Sequence, residues 1–280
     1  MNLQLTLEKT NEFANYLALQ ERSSGTIQKY RRDLEKLRRF AGDEITDKAT
    51  LIAFKEHLIR QGYADVSINS FLAAVNQYLK YMGFAAWQLR FLKIQRQTFR
   101  SAEKELTTQE YQRLVEAARQ QGNRRLALLV QTIAATGIRV SELRGITVEA
   151  ARKGQAQIRM KGKTRQILLP RELCRRLLSY CEKKRIYTGQ IFITRTGHPL
   201  DRSNIWRMLK KLALTAKVKA KKVFPHNLRH LFAVTYYKRY KDVVRLADIL
   251  GHSSIDTTRI YTARSTGEQQ RQIEELRLVC

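Results

Sequence analysis

The sequence is poor in cysteine, short of acidic residues and without long apolar runs, and each lack excludes something. Three cysteines in 280 residues are an odd number in a long chain, which argues against a disulfide framework. Cys174 and Cys181 are seven apart on an expected helix and share a face, the pattern of two small core residues. Zinc would want Cys-x-x-Cys spacing with histidines nearby, and both are missing; Cys280 says nothing by itself. No uninterrupted apolar run approaches the roughly 18 residues of a membrane span. The best stretch, Leu126 to Ala135, is broken by Gln131 and Thr132. The opening MNLQLTLEKTNEF alternates polar and apolar residues and has neither the basic nor the apolar region of a secretory signal. The expected location is therefore the cytoplasm, without a membrane partner. No internal repeat of 20–50 residues and no low-complexity tract is visible.

The acid shortage is the largest global signal. Lys and Arg number 53 against 25 Asp and Glu, a net charge of +28. Such an excess repels itself unless a polyanion neutralises it, and nucleic acid is the expected partner. An anionic membrane is the alternative, but no basic helix with an aromatic face supports it. The charge is also uneven: residues 1–100 carry 16 basic and 10 acidic side chains, residues 101–280 carry 37 and 15. The stronger grip on phosphate is expected in the second part.

What is present is enough for two globular domains: 280 residues, 43% of them hydrophobic. The first hundred read as a helical bundle. Ile27, Tyr30, Leu34 and Leu37 fall at helical spacing before Gly42. A second helix runs from a Thr46/Asp47 cap through Leu51, Ile52, Leu58 and Ile59 to Gly62. A third is expected from a Ser67 cap, with Ile68, Phe71, Leu72, Val75, Leu79 and Met82 on one side. Arg31, Arg32, Arg38 and Arg39 lie on the outer faces; alone they read as a solvated surface, and the overall charge tips them towards DNA contact.

Residues 95–106 are polar and aperiodic, which places a linker at 99–105 between a first domain of 1–98 and a second of 106–263. The second opens with a capping box, Thr107-x-x-Glu110. A buried helix is expected over Arg125 to Thr136, stopped by Gly137, and a short one from near Ser141. Residues 157–160 and 164–169 flank Lys161-Gly162-Lys163 as a β-hairpin. Helices are expected over 171–184, 203–216, 226–240 and 242–250, with a short strand at Ile191 to Thr194. The fold class is mainly α with a small β-sheet: a helical domain followed by a mixed α/β one.

Four places stand out in the second domain. They are the run Ala135-Thr136-Gly137-Ile138-Arg139-Val140-Ser141-Glu142-Leu143, the hairpin turn at Lys161, His226-Asn227-Leu228-Arg229-His230 after Pro225, and Leu250-Gly251-His252 with Tyr261 nine residues on. Singly, each has an ordinary reading: a surface arginine, a common turn, a capping histidine, one of twelve tyrosines.

Together, in this order and spacing, they closely resemble the tyrosine recombinase (phage integrase) family, of the two-domain type seen in Xer and integron integrases. The resemblance covers essentially the whole chain, since the helical first part looks like that family's core-binding domain. It implies site-specific DNA recombination through a 3′-phosphotyrosyl intermediate and a Holliday junction, with integration, excision and resolution all open. A type IB topoisomerase, with the same chemistry on one strand, is the alternative.

The resemblance makes Tyr261 the nucleophile, His226 the general base and Lys161 the general acid at the leaving 5′-oxygen. His252 takes the position that hydrogen-bonds a phosphate oxygen, and Glu142 the one that buttresses the site. The hairpin is one residue shorter than the common form, which leaves Lys163 open as the acid. Arg139 and Arg229 suit the non-bridging oxygens, because guanidinium forks stabilise charge that grows in the transition state. One such donor is typically worth roughly 3–4 kcal/mol, about 10²–10³ in rate. No Asp/Glu cluster for Mg²⁺ accompanies the motifs, so no cofactor and no metal are expected.

Outside the motifs, residues 202–222 hold eight basic side chains and no acid: Arg202, Arg207, Lys210, Lys211, Lys217, Lys219, Lys221 and Lys222. Backbone phosphate contact is the expectation there. The end of the chain, residues 264–280, reads as a short helical tail with Ile273, Leu276 and Val279 as a narrow stripe, docking on its own domain or on a neighbour. The resemblance further implies a homotetramer on two double-stranded DNA sites, a monomer or dimer off DNA, and a prokaryotic, nucleoid-associated setting.

Overall fold

The computed structural model describes residues 2–94, 105–160, 163–252, 254–259 and 274–275. The chain divides into two compact units, Met1–Arg96 and Gln97–Cys280. All of the expected linker but Glu105, together with the Lys161 turn, Tyr261 and nearly all of the tail, lies outside the described residues.

The first unit opens on two residues of strand, β1 (Leu3–Gln4), paired antiparallel with β2 (Glu44–Ile45). The polar–apolar alternation at the start belongs to this strand, with Leu3 and Leu5 buried. The alternation ends at Thr6, whose hydroxyl caps α1 (Leu7–Leu19), a helix that the sequence reading does not separate from the alternating segment. Thr10, Phe13, Ala14 and Leu17 form its buried stripe. Next come α2 (Ser24–Ala41), ended by Gly42, and α3 (Lys48–Arg60), capped by the Asp47 carboxylate.

On α3 the buried face is Leu51, Phe54 and Leu58; Ile52 and Ile59 are 44% and 46% exposed. Each follows a core residue by one position, about 100° round the helix, so it cannot share the core-facing stripe. The fourth helix, α4 (Asp65–Tyr81), starts earlier than the Ser67 cap would place it, with Ala64 at the N-cap and no side-chain cap. Asp65 in its first turn complements the helix dipole. Asn76 clamps both backbone groups of Leu89, at 2.8 and 2.9 Å. Asn69, two turns earlier, does the same for Leu92.

The second unit is built round α6 (Arg124–Thr136), eight of whose thirteen residues are buried. Against it pack α5 (Thr108–Gln120), α8 (Arg171–Lys184) and α10 (Pro225–Tyr240). The α5 capping box is formed in both directions: Glu110 N–H donates to Thr107 Oγ1 and Thr107 N–H donates to Glu110 Oε2. Between α6 and the hairpin lie a 3₁₀ helix (Val140–Gly145) and α7 (Val148–Lys153), the latter not anticipated.

The hairpin is β3 (Gln155–Met160) against β4 (Lys163–Leu168), with Met160 opposite Lys163. Residues 191–194 do not form the expected strand. They carry one isolated bridge, Ile193 to Pro199, because no neighbouring strand lies beside them to extend the ladder. The helices α9 (Arg202–Thr215), α11 (Val243–Leu250) and α12 (Asp256–Arg259) complete the described chain. Cys174 and Cys181 are buried on α8, and burial raises both thiols above their ordinary range.

Among the described residues the fold is mostly helical with two small two-stranded sheets. No described helix is long and apolar enough to cross a membrane.

Candidate active site

The site begins where α6 must stop. Gly137 takes a left-handed conformation, φ +62°, and a Cβ there would lie 2.6 Å from the Phe232 ring and 2.8 Å from Leu250. Only glycine meets both demands. Ile138, 1% exposed, then anchors the chain in the core and delivers Arg139 to the mouth of a pocket. Glu142 is 3% exposed and accepts from the Arg139 backbone N–H at 2.8 Å and from its guanidinium at 3.0 Å. The rest of the Arg139 fork donates to the Gly251 carbonyl at 3.0 Å.

Glu142 is shared. Arg165, on β4, donates to its Oε2 and at 2.6 Å to the Ile249 carbonyl. Burial alone would raise the Glu142 carboxyl; hydrogen bonds from Arg165 and Arg139 outweigh it and hold the group below the usual carboxylate range. The carboxylate thus stays charged between two guanidiniums. Arg165 also explains the glycine of Leu-Gly-His, since a Cβ at Gly251 (φ +63°) would lie 2.6 Å from its Cδ.

Arg229 comes from α10 and is 3% exposed. It donates to the Gly137 carbonyl at 2.6 Å and to the Leu250 carbonyl at 2.7 Å, so the two helix-ending motifs and this arginine form one knot. Its Nη2 also stands 3.0 Å from His252 Nε2. Arginine can only donate, so Nε2 is the unprotonated nitrogen and Nδ1 carries the proton. Nδ1 then donates to Thr258 Oγ1 at 2.7 Å. Burial, reinforced by Arg229, Arg139, Arg165 and His226, pushes the His252 pKa down to about 4. At neutral pH this histidine is an uncharged group inside a positive cage.

Arg139, His226 and Arg229 line one open cavity of ≈ 710 Å³, roomy enough to admit a phosphodiester with its flanking sugars. Its lining also includes Arg144, Arg202 and Trp206. Beside them Lys210 donates to the Ala220 carbonyl and lies over the Trp206 ring. Among the described residues no group of three His, Cys, Asp or Glu side chains is placed to hold a metal ion.

Five of the seven residues expected in the site are therefore brought together: Arg139, Glu142, His226, Arg229 and His252. Lys161 and Tyr261 lie outside the described residues. Lys163 has its backbone in the ladder opposite Met160. Four residues were missed: Arg144, Arg165, Trp206 and Thr258. Arg165 is one of several basic residues on a hairpin, and only the tertiary contact to Glu142 distinguishes it.

Among the other basic residues, Arg202, Arg207, Lys211, Lys217, Lys219 and Lys221 are exposed. Lys222 is a correction. It is 8% exposed and its ammonium meets Glu110 Oε1 at 2.9 Å, because the short 3₁₀ turn Ala220–Lys222 directs it inward against the start of α5. In the first unit Arg31 donates to Asn11, and Arg38 joins Glu35 and Asp43. Arg39 also reaches Glu35, while Arg32 is 79% exposed.

The family model of the phage integrase family matches residues 104–268, and that of the phage integrase N-terminal SAM-like domain matches 10–83. The chain belongs to the phage integrase family. It is 31% identical to tyrosine recombinase XerA of Pyrococcus furiosus, over 98% of this chain and 96% of that protein. With tyrosine recombinase XerD of Halalkalibacterium halodurans it shares 29%, over 86% of this chain and 87% of the relative. The fold matches the Tn1549 transposon integrase, solved in complex with transposon right-end DNA. The TM-score is 0.76 at 15% identity, covering 99% of this chain and 100% of that one. As an integrase-family tyrosine recombinase, the protein is an enzyme that breaks and rejoins DNA strands in site-specific recombination. Nothing in these comparisons supports the topoisomerase reading.

Proposed function

We propose that the recombinase holds one phosphodiester of double-stranded DNA between Arg139 and Arg229 and attacks it with Tyr261. The observation that carries this is the paired guanidinium fork. Two arginines from different elements share one pocket, each fixed by backbone carbonyls, with Glu142 holding one of them in register. Fixed donors of this kind need no reorganisation as negative charge grows on the non-bridging oxygens.

In the forward step the Tyr261 oxygen forms a bond to phosphorus and loses its proton to His226. The bond from phosphorus to the 5′-oxygen breaks, and Lys161 protonates the leaving oxygen. The 3′-phosphotyrosyl link conserves the phosphodiester, so a 5′-hydroxyl from another duplex reseals it by the reverse path. A phenol of pKa about 10 must shed its proton to attack. His226, on the wall of the same pocket, supports its place as acceptor.

His252 changes partner in this scheme. In the structure its Nε2 accepts from Arg229. An anion at the fork raises the imidazole's affinity for a proton, and a protonated Nε2 then donates to a phosphate oxygen.

The two matched regions support division into a core-binding domain over 1–98 and a catalytic domain over 106–263. Four protomers on two DNA sites complete the exchange, in a prokaryotic cytoplasm at the nucleoid. Integration, excision and resolution use the same chemistry.

The test is covalent trapping on a nicked cognate site. Tyr261→Phe is expected to bind that site as tightly as the native protein and to leave no adduct on a denaturing gel. Normal trapping by Tyr261→Phe would transfer the nucleophile to another tyrosine.

A further inference from the structure

The catalytic pocket lies at the C-terminal end of α6. At the other end, two adjoining depressions meet around Gly122, Arg124 and Tyr180. Their linings contain eight basic side chains and no acidic one. Some of this charge is spent within the protein: Arg175 and Arg176 share Glu172, and Arg125 donates to the Ile193 carbonyl. Arg124, Lys183, Lys184 and Arg195 are exposed and make no ion pair among the described residues.

This arrangement is costly. Arg124 and Arg125 occupy the first turn of α6, which has no acidic residue, where the helix dipole disfavours positive charge. A set of like charges so placed is relieved by an anion.

The distance decides what that anion serves. Thirteen residues at 1.5 Å rise put the two ends of α6 about 18 Å apart. The Debye length at 0.1 M salt is about 10 Å, so the field of this cluster is largely screened at the catalytic pocket. It does not act by strengthening the Arg139–Arg229 fork.

Protein partners are usually anchored by exposed aromatic or aliphatic side chains in well-packed pockets. Here the aromatic residue, Tyr180, is 7% exposed, and the accessible chemistry is ammonium and guanidinium. We infer that this basic cleft binds the phosphate backbone of DNA flanking the site held at the catalytic pocket.

The test compares the full-length protein with a quadruple variant, Arg124→Gln, Lys183→Gln, Lys184→Gln and Arg195→Gln, both carrying Tyr261→Phe so that binding is read without cleavage. Affinity is measured against salt on two duplexes: the core site alone, and the same site with long flanks. Each phosphate contact contributes about 0.9 to the slope of log affinity against log salt. On the flanked duplex the variant is expected to lose about 3–4 from that slope; on the core site the slopes coincide. With Tyr261 restored, covalent trapping on the core site stays at the native level, which separates failure here from failure of the proposed chemistry. Identical slopes on both duplexes would make the cleft an ordinary solvated face. An equal loss on both would place it in the grip on the core site, and polyglutamate binding without any flank effect would assign it to an acidic protein. Each of these three results overturns the inference. A thermal melt of the variant checks that its fold is intact.

Discussion

A single side chain, His252, shows how the cage sets chemistry. Its pKa is pushed down to about 4 by burial and by the surrounding guanidiniums, whereas the unfolded chain protonates it near 6.5. Between those values the unfolded state binds the extra proton. Stability is therefore fully present above pH 6.5 and is lost as pH falls towards 4. Thermal melts from pH 7.5 to 4.5 are expected to show a falling midpoint, and His252→Gln should flatten part of that fall. A matching pH dependence in the variant would place the acid-sensitive group elsewhere. On DNA, the imidazole resonance of His252 should titrate at higher pH, since the phosphate offsets the guanidiniums.

At the scale of the element, the β3–β4 hairpin bears on both the arginine site and the proposed general acid. Lys161 follows β3 in the sequence, and β4 carries Arg165, which grips both Glu142 and the Ile249 carbonyl. Replacing the bridging 5′-oxygen with sulfur gives a leaving group that needs no proton. Lys161→Ala cleavage of such a substrate is expected to recover to near native rates, while Arg139→Ala stays defective by about 10²–10³ because its charge role remains. Arg165→Ala tests the mechanical link, with partial recovery expected if the hairpin's placement is what it lost. Recovery of Lys163→Ala in place of Lys161→Ala would move the acid two residues along the chain.

At the scale of the whole molecule, residues 101–280 carry 37 basic and 15 acidic side chains, most of the +28 charge, and the tail follows Tyr261, the proposed nucleophile. If residues 264–280 form the short helix expected from the sequence, the narrow stripe of Ile273, Leu276 and Val279 would need a surface to dock on. If that surface belongs to a neighbouring protomer, assembly would position Tyr261. Truncation after Ala263 should then leave binding to a one-arm site within about two-fold of native while cooperative binding on a two-arm site is lost. Mobility-shift titrations on the two sites decide it; unchanged cooperativity would mean that the tail packs on its own domain.

Much of this was legible before any coordinates. Charge imbalance pointed to DNA, the caps Asp47, Thr107 and Gly137 marked helix ends through local hydrogen-bonding and backbone rules, and the motif order named the family. Those signals are local, or survive as fixed spacing along the chain. Several of the sequence's misreadings depended on direction in space. Ile52 and Ile59 have the hydrophobicity of core residues but sit one position past the buried stripe, and Lys222 belongs to a basic run yet turns in to Glu110. Arg165 was passed over because its partners are 23 and 84 residues away. The sequence by itself determined which residue types the reaction requires. The tertiary structure alone decided which arginines converge, which histidine is neutral and which charges face water, because these depend on neighbours brought together only by folding.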